Sequence, residues 1–239
     1  MINLLSIIKN NLFIQNFFSS LIVLIHPYLE NTLSKYTAIK KAMFMNYHDD
    51  TPGDYLEFGV FTGSSFNFAM KINLKMEKIF KKKIDTNFIG FDSFEGFGEI
   101  KSIDVNPSFK NNLFQVDKKK VIKNIKKNSK NQKFRLIEGF YNKTIKDKNT
   151  NDYGINKSRI IMIDCDLKES TTLALNFAKP SLQEGTIIIF DDLNFYKGNS
   201  NKGEYGAFEE FRNKNPNIKF RRIFDYGYSG RAFIVANLD

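Results

Sequence analysis

Five short apolar runs constrain this chain most, because each ends on or beside a carboxylate and a helical pattern separates it from the next. They fall at residues 55–59, 87–92, 134–138, 159–164 and 185–190, and they deliver Glu57, Asp92, Glu138, Asp164 and the pair Asp191 and Asp192. Helical spacing of apolar residues predicts helices at 35–47, from Ser64 or Ser65 to about 80, and at 115–128, 170–178 and 203–213. Buried strands alternating with helices predict the α/β class, a doubly wound and mainly parallel Rossmann-like sheet. Two closing strands, 219–224 and 231–236, face each other across a glycine-containing turn and imply one antiparallel edge strand. No repeat or internal linker divides the 239 residues. The expected organisation is an N-terminal helical extension over residues 1–50, serving as a lid or dimer contact, and one main domain over 51–239.

Composition limits the classes of function. With 42% hydrophobic and 15% aromatic residues the chain can bury a large core. Its single cysteine, Cys165, excludes an internal disulfide, and a cytoplasmic protein is expected. The formal net charge is +10, but the lysines are spread through Lys- and Asn-rich stretches such as 118–130, with few arginines. That pattern reads as solvated faces, and nucleic acid is not expected as a partner. The N-terminal segment is apolar (Leu4, Leu5, Ile7, Ile8, Leu12, Phe13, Phe17, Phe18, Leu21, Ile22), yet Lys9 interrupts it and polar residues dot the run 10–26. It falls short of the roughly 20 apolar residues a bilayer span requires. No basic start or cleavage site marks a leader. A helix acting as a lid or as a contact in a homo-oligomer is expected, with membrane-surface contact as the alternative.

In doubly wound sheets, ligands bind beyond the carboxyl ends of the strands. The first run leads through Gly59 and Gly63 into a helix opened by Ser64 and Ser65, a turn that presents backbone N–H groups to a ligand. Asp92, ending the second strand, can accept both ribose hydroxyls of a nucleoside. The turn lacks the G-x-G-x-x-G of dinucleotide sites, and Glu57 beside it would repel a pyrophosphate. The same carboxylate suits a sulfonium and an α-amino group, so S-adenosylmethionine is the expected cofactor. Asp164, Asp191 and Asp192 end neighbouring strands, where three carboxylates call for a cation. Oxygen-only ligands favour Mg²⁺, with Mn²⁺ or Ca²⁺ as alternatives, over zinc. The competing reading has Asp192 capping a turn, Asp166 exposed and Asp164 alone facing the cofactor. His26 and His48 fall outside the strand ends, and Cys165 reads as a small buried residue. The loop at 97–113 is long enough to be functional. A nucleophile elbow and a Walker loop are both absent from the sequence.

Four motifs in order resemble the macrocin O-methyltransferase family: Tyr55, Leu56, Glu57, Phe58, Gly59 with Gly63; Gly90, Phe91, Asp92, Ser93, Phe94, Glu95, Gly96; Ile163, Asp164, Cys165, Asp166 with Glu169, Ser170, Thr171; and Gly185 to Asp192. The resemblance covers about residues 55–236, and Lys168 stands where the family usually has tyrosine. It implies a class I enzyme that methylates a hydroxyl of a sugar or other small polyol. It implies Mg²⁺ on Asp164, Asp191 and Asp192, and a cofactor surrounded by Glu57, Phe58, Gly59, Gly63, Ser64, Ser65, Asp92, Ser93, Phe94, Glu138, Gly139 and Asp164. Asp164 is the candidate for taking the hydroxyl proton. The rivals are a nucleic-acid methyltransferase, disfavoured by the missing Asn/Asp-Pro-Pro-aromatic run, and a non-catalytic binding protein that retains the fold.

Overall fold

A computed structural model describes residues 11–110 and 113–238. Helix α1 (Leu12–Leu24) begins where the Asn11 side chain accepts the N–H of Ile14, and it buries none of its residues. Leu4, Leu5, Ile7 and Ile8 lie outside the described residues. The chain turns by 89° before α2 (Pro27–His48). Pro27 forces the turn, since it disfavours helix at the residue before it and starts one well at the first position. Helix α2 therefore begins eight residues earlier than the apolar spacing alone indicates. Its second half carries Ala38, Ile39, Ala42, Met43 and Tyr47 into the core. Among the described residues no single helix is long and apolar enough to cross a membrane, and only the bent pair α1–α2 passes on combined length and composition.

The sheet comprises β1 (Asp54–Phe58), β2 (Phe88–Asp92), β3 (Phe134–Glu138), β4 (Ser158–Ile163), β5 (Ile187–Phe190), β6 (Ile218–Tyr226) and β7 (Gly230–Leu238), in the order β3-β2-β1-β4-β5-β7-β6. The first five strands pair in parallel; β7 runs antiparallel to both neighbours, and β6 lies outside it at the edge. Helices α3 (Ser64–Phe80), α4 (Lys118–Asn128), α5 (Tyr141–Thr144), α6 (Lys168–Ala178) and α7 (Gly203–Lys214) complete the fold. Strands β1, β4 and β5 are buried at every position, as strands covered on both faces must be. Side chains of period two feed two cores. Tyr55, Phe88, Ile160, Met162, Ile187 and Ile189 pack under α2 and α3. Leu56, Phe58, Phe91, Ile161, Ile163 and Phe190 pack under α6 and α7.

Register positions the site. Ile137, Phe91, Phe58, Ile163 and Phe190 lie side by side across five strands. The next residues of those strands, Glu138, Asp92, Gly59, Asp164 and Asp191, therefore form one row along the sheet's carboxyl rim. The strand order reverses between β1 and β4, so Gly59 and Asp164 flank the switch point, where such sheets open a crevice.

Candidate active site

A cavity of about 550 Å³ opens along this rim. Its wall includes Gly59, Phe61, Asp92, Ser93 and Gly139 from the first three strand ends, then Asp164, Cys165, Asp166, Asp191 and Asp192 from the next two. Tyr28, Asn31, Thr32 and Lys35 of α2 close another side, and Phe97, Phe109, Phe114, Phe140 and Phe195 give it aromatic walls. The size suits a nucleoside cofactor with a small acceptor.

The glycine turn is held by side chains beneath it. Gly59 has φ +93°, and a Cβ there would sit 1.8 Å from the Asp164 carbonyl oxygen, so only glycine lets β1 and β4 meet at the rim. Gly63, at φ +77°, occupies the N-cap position of α3 with no side-chain cap, so neither Ser64 nor Ser65, which open this helix, caps it. The Ser65 hydroxyl donates instead to Glu57 at 2.7 Å, and the Tyr55 hydroxyl donates to the other Glu57 oxygen at 2.5 Å. Glu57 is fully buried, and burial pushes its carboxyl up to about 7 against those two hydrogen bonds. It braces the turn from below and is not among the residues lining the cavity. Asp92 accepts the N–H groups of Val60 and Phe61 on one oxygen, both at 2.7 Å, and that of Phe94 on the other at 2.6 Å. It thus fastens the turn to the loop after β2 with three of its roughly four acceptor positions. Ser93 accepts from the Glu95 N–H and donates to the Gly96 carbonyl, which shapes that loop.

Other expected cofactor residues stand back from the cavity. Phe58 stacks on Phe91 within the core, because it shares a strand face with Leu56. Phe94 is buried in the opposite core, Gly63 packs toward Val121 and Ile125, and Ser64 starts α3 away from the lining. Glu138 points to solvent and pairs with Lys118 at 2.5 Å, leaving Gly139 as the residue of that strand end that lines the cavity.

The far strands build a carboxylate centre. One oxygen from each of Asp164, Asp191 and Asp192 lies within 4.8 Å of the others. Opposite oxygens on one Mg²⁺, Mn²⁺ or Ca²⁺ are about 4–5 Å apart, so the donor set fits such an ion. Asp166 is half-buried rather than exposed; burial pushes it up to about 6 and pushes Asp192 well above the carboxylate range. Glu204, at the start of α7, is fully buried and accepts the Asp192 N–H at 2.9 Å. The Tyr226 hydroxyl donates to Asp191 at 2.9 Å, and the Ser229 hydroxyl to the Asp191 carbonyl at 2.8 Å. Burial raises Asp164 to about 8, with Lys35 opposing and Asp191 adding.

Lys35 completes the centre and stands outside the residues expected from the sequence. Its ammonium lies 2.7 Å from Asp164 and 2.8 Å from Asp191, bridging the two strand ends. Burial alone would depress this lysine, but the two carboxylates together hold it well above its ordinary value. The signal was present: Lys35 is four residues before Ile39 and eight before Met43, so it sits on the stripe of α2 that faces the core. Tyr226, Ser229 and Glu204 carry no comparable mark. His26 caps α2 and His48 pairs with Asp49, both away from the cavity. Cys165 is buried beside Thr171, and burial raises its thiol, which disfavours the thiolate.

The family model described as Macrocin-O-methyltransferase (TylF) matches residues 33–220. The chain belongs to the macrocin-O-methyltransferase family. As a member of it the protein is an O-methyltransferase, and the match takes in both Lys35 and the acidic rim. Among solved structures, the O-methyltransferase NovP is similar at TM-score 0.67 and 20% identity, over 85% of this chain and 80% of that one. CalS11, a calicheamicin methyltransferase, is similar at TM-score 0.63 and 17% identity, over 96% and 88% of the two chains. An O-methyltransferase from Bacillus cereus solved with SAH is similar at TM-score 0.53 and 14% identity, over 84% and 81%. These likenesses establish the methyltransferase fold. Among curated proteins no relative matches the sequence. Lys168, where the family usually has tyrosine, pairs with Glu210 of α7 at 2.5 Å.

Proposed function

We propose that this chain transfers the methyl group of S-adenosylmethionine to a hydroxyl of a sugar or other small polyol, assisted by a divalent cation, Mg²⁺ by preference, at the carboxylate centre. The observation that carries the reading is the single cavity that joins the Gly59 turn, Asp92 and Gly139 to the Asp164, Asp191 and Asp192 cluster. Its acid-rich wall favours a ligand bearing a sulfonium and an ammonium over one bearing phosphates. The structurally similar CalS11 is described as a TDP-rhamnose 3'-O-methyltransferase, which supports a glycosidic acceptor for this chain.

The protein's own groups divide the work. Gly59, Asp92, Ser93 and Gly139 position the cofactor at the switch point. The aromatic side chains of Phe97, Phe109 and Phe114 cover the acceptor space and exclude water. Asp164, which lines the cavity at the switch point, takes the acceptor's proton. The freed oxygen forms its bond to the methyl carbon as the carbon–sulfur bond breaks, and the electron pair stays on sulfur to give S-adenosylhomocysteine. Asp164, Asp191 and Asp192 would hold a divalent ion, which when bound would supply Lewis-acid polarisation of the acceptor hydroxyl.

The test is methyl transfer from labelled S-adenosylmethionine to a panel of glycosides and nucleotide sugars, with and without chelator. Product on a sugar hydroxyl, lost in chelator and restored by Mg²⁺, is expected. Activity that survives chelation would remove the cation from the reading, and transfer to RNA or DNA instead of sugars would overturn the acceptor class.

A further inference from the structure

We propose that Lys35 is a built-in counter-cation of the carboxylate centre, and that a divalent ion enters only by displacing its ammonium from Asp164 and Asp191. The inference rests on the cation reading of this centre given above. Lys35 reaches the centre from α2, across 129 residues of sequence, and its Nζ lies 2.7 Å and 2.8 Å from one oxygen each of two of the three residues whose oxygens cluster within 4.8 Å. An ion that uses those two oxygens cannot share them with an ammonium at hydrogen-bond distance. The Lys35 side chain is 17% exposed, so its flexible four-carbon stem has a route toward the cavity when the ion arrives.

The charge balance explains why such a device is needed. Asp164, Asp166, Asp191, Asp192 and Glu204 converge here with one cationic side chain, Lys35, among the described residues in direct contact with them. A single positive charge keeps the rim folded but leaves it acid-rich, and a doubly charged ion neutralises it better at the same oxygens. Monovalent ions bring no such gain over the ammonium, so the lysine makes the centre selective for divalent cations. The cost is affinity. If the lysine occupies the centre nine-tenths of the time, the apparent affinity for the ion falls by about tenfold.

The decisive experiment titrates Mn²⁺ into the full chain and into Lys35→Met, reading bound ion by electron paramagnetic resonance. Lys35→Met is expected to bind one ion at least about tenfold more tightly than the parent, and adding Asp191→Asn to it should abolish that binding. Equal affinity at an Asp191-dependent site would overturn the competition while leaving the cation reading intact. No Mn²⁺ bound by either protein at millimolar concentration would overturn the cation reading itself, and this inference with it. The unmutated chain gives a second measurement that does not depend on the variant folding. Labelling of Lys35 by an amine-reactive acetylating reagent, located by mass spectrometry, should rise at saturating Mn²⁺ and not with the same concentration of K⁺. Labelling unchanged by Mn²⁺ would contradict displacement.

Discussion

Glu57 shows how a residue can brace a site it does not line. It sits on the strand face shared with Tyr55, so period-two alternation turns it under α3, where Tyr55 and Ser65 donate to it. Its carboxyl is raised from 4.5 to about 7 by burial. A carboxyl whose folded value exceeds its unfolded value binds its proton more tightly in the folded state. Folding stability from this group is therefore fullest below about pH 4.5 and is lost as pH rises through about 7. Glu57→Gln removes that dependence. Relative to the parent, its stability should improve by roughly 2–3 kcal/mol between pH 5 and pH 8, measured by urea unfolding. A stability difference flat across that range would show that Glu57 stays ionised. Asp164, Asp191 and Asp192 were legible in the sequence because strand ends define a rim. Phe58 and Glu57 adjoin the glycine motif in sequence but do not line the cavity, because strand alternation decides which way each side chain faces.

The rim works because elements far apart in sequence lock one another. Asp104 in the loop after β2 is buried and accepts the Lys168 N–H at 2.8 Å, so it caps α6 from outside that helix. The Tyr196 hydroxyl donates to the Asp104 carbonyl at 3.1 Å, and the Tyr196 ring packs edge-on against Phe109. Asp104→Ala should cost roughly 1–2 kcal/mol and speed amide hydrogen exchange across residues 97–110. Exchange unchanged in that loop would mean that its aromatic contacts hold it without the cap. Strand positions and most helix ends were readable from periodicity, with β3 placed residue for residue. The start of α2 needed the rule for proline at the first helical turn. The docking of the long loop was unreadable, since a cap supplied from 64 residues away leaves no local pattern.

Over the whole molecule, stability and exposure separate along the N-terminal helices. Met43 of α2 is fully buried in the core under the sheet, whereas Phe17 of α1 is 55% exposed. Met43→Ala should cost about 2–5 kcal/mol, while Phe17→Ser should leave the melting temperature within about 2 °C. A large loss from Phe17→Ser would show that α1 is covered in solution. Helix α2 thus belongs both to the core and to the cavity wall, and through Lys35 it joins the two. In the proposed function the Gly59 turn and Asp92 hold the nucleoside cofactor while the carboxylate centre serves the transfer. Calorimetric titration of S-adenosylhomocysteine into the parent, Asp92→Asn and Asp191→Asn tests it most directly. One molecule should bind per parent chain, at least about tenfold more weakly in Asp92→Asn and within about threefold of the parent in Asp191→Asn. No binding to the parent, or an equal loss in both variants, would contradict it.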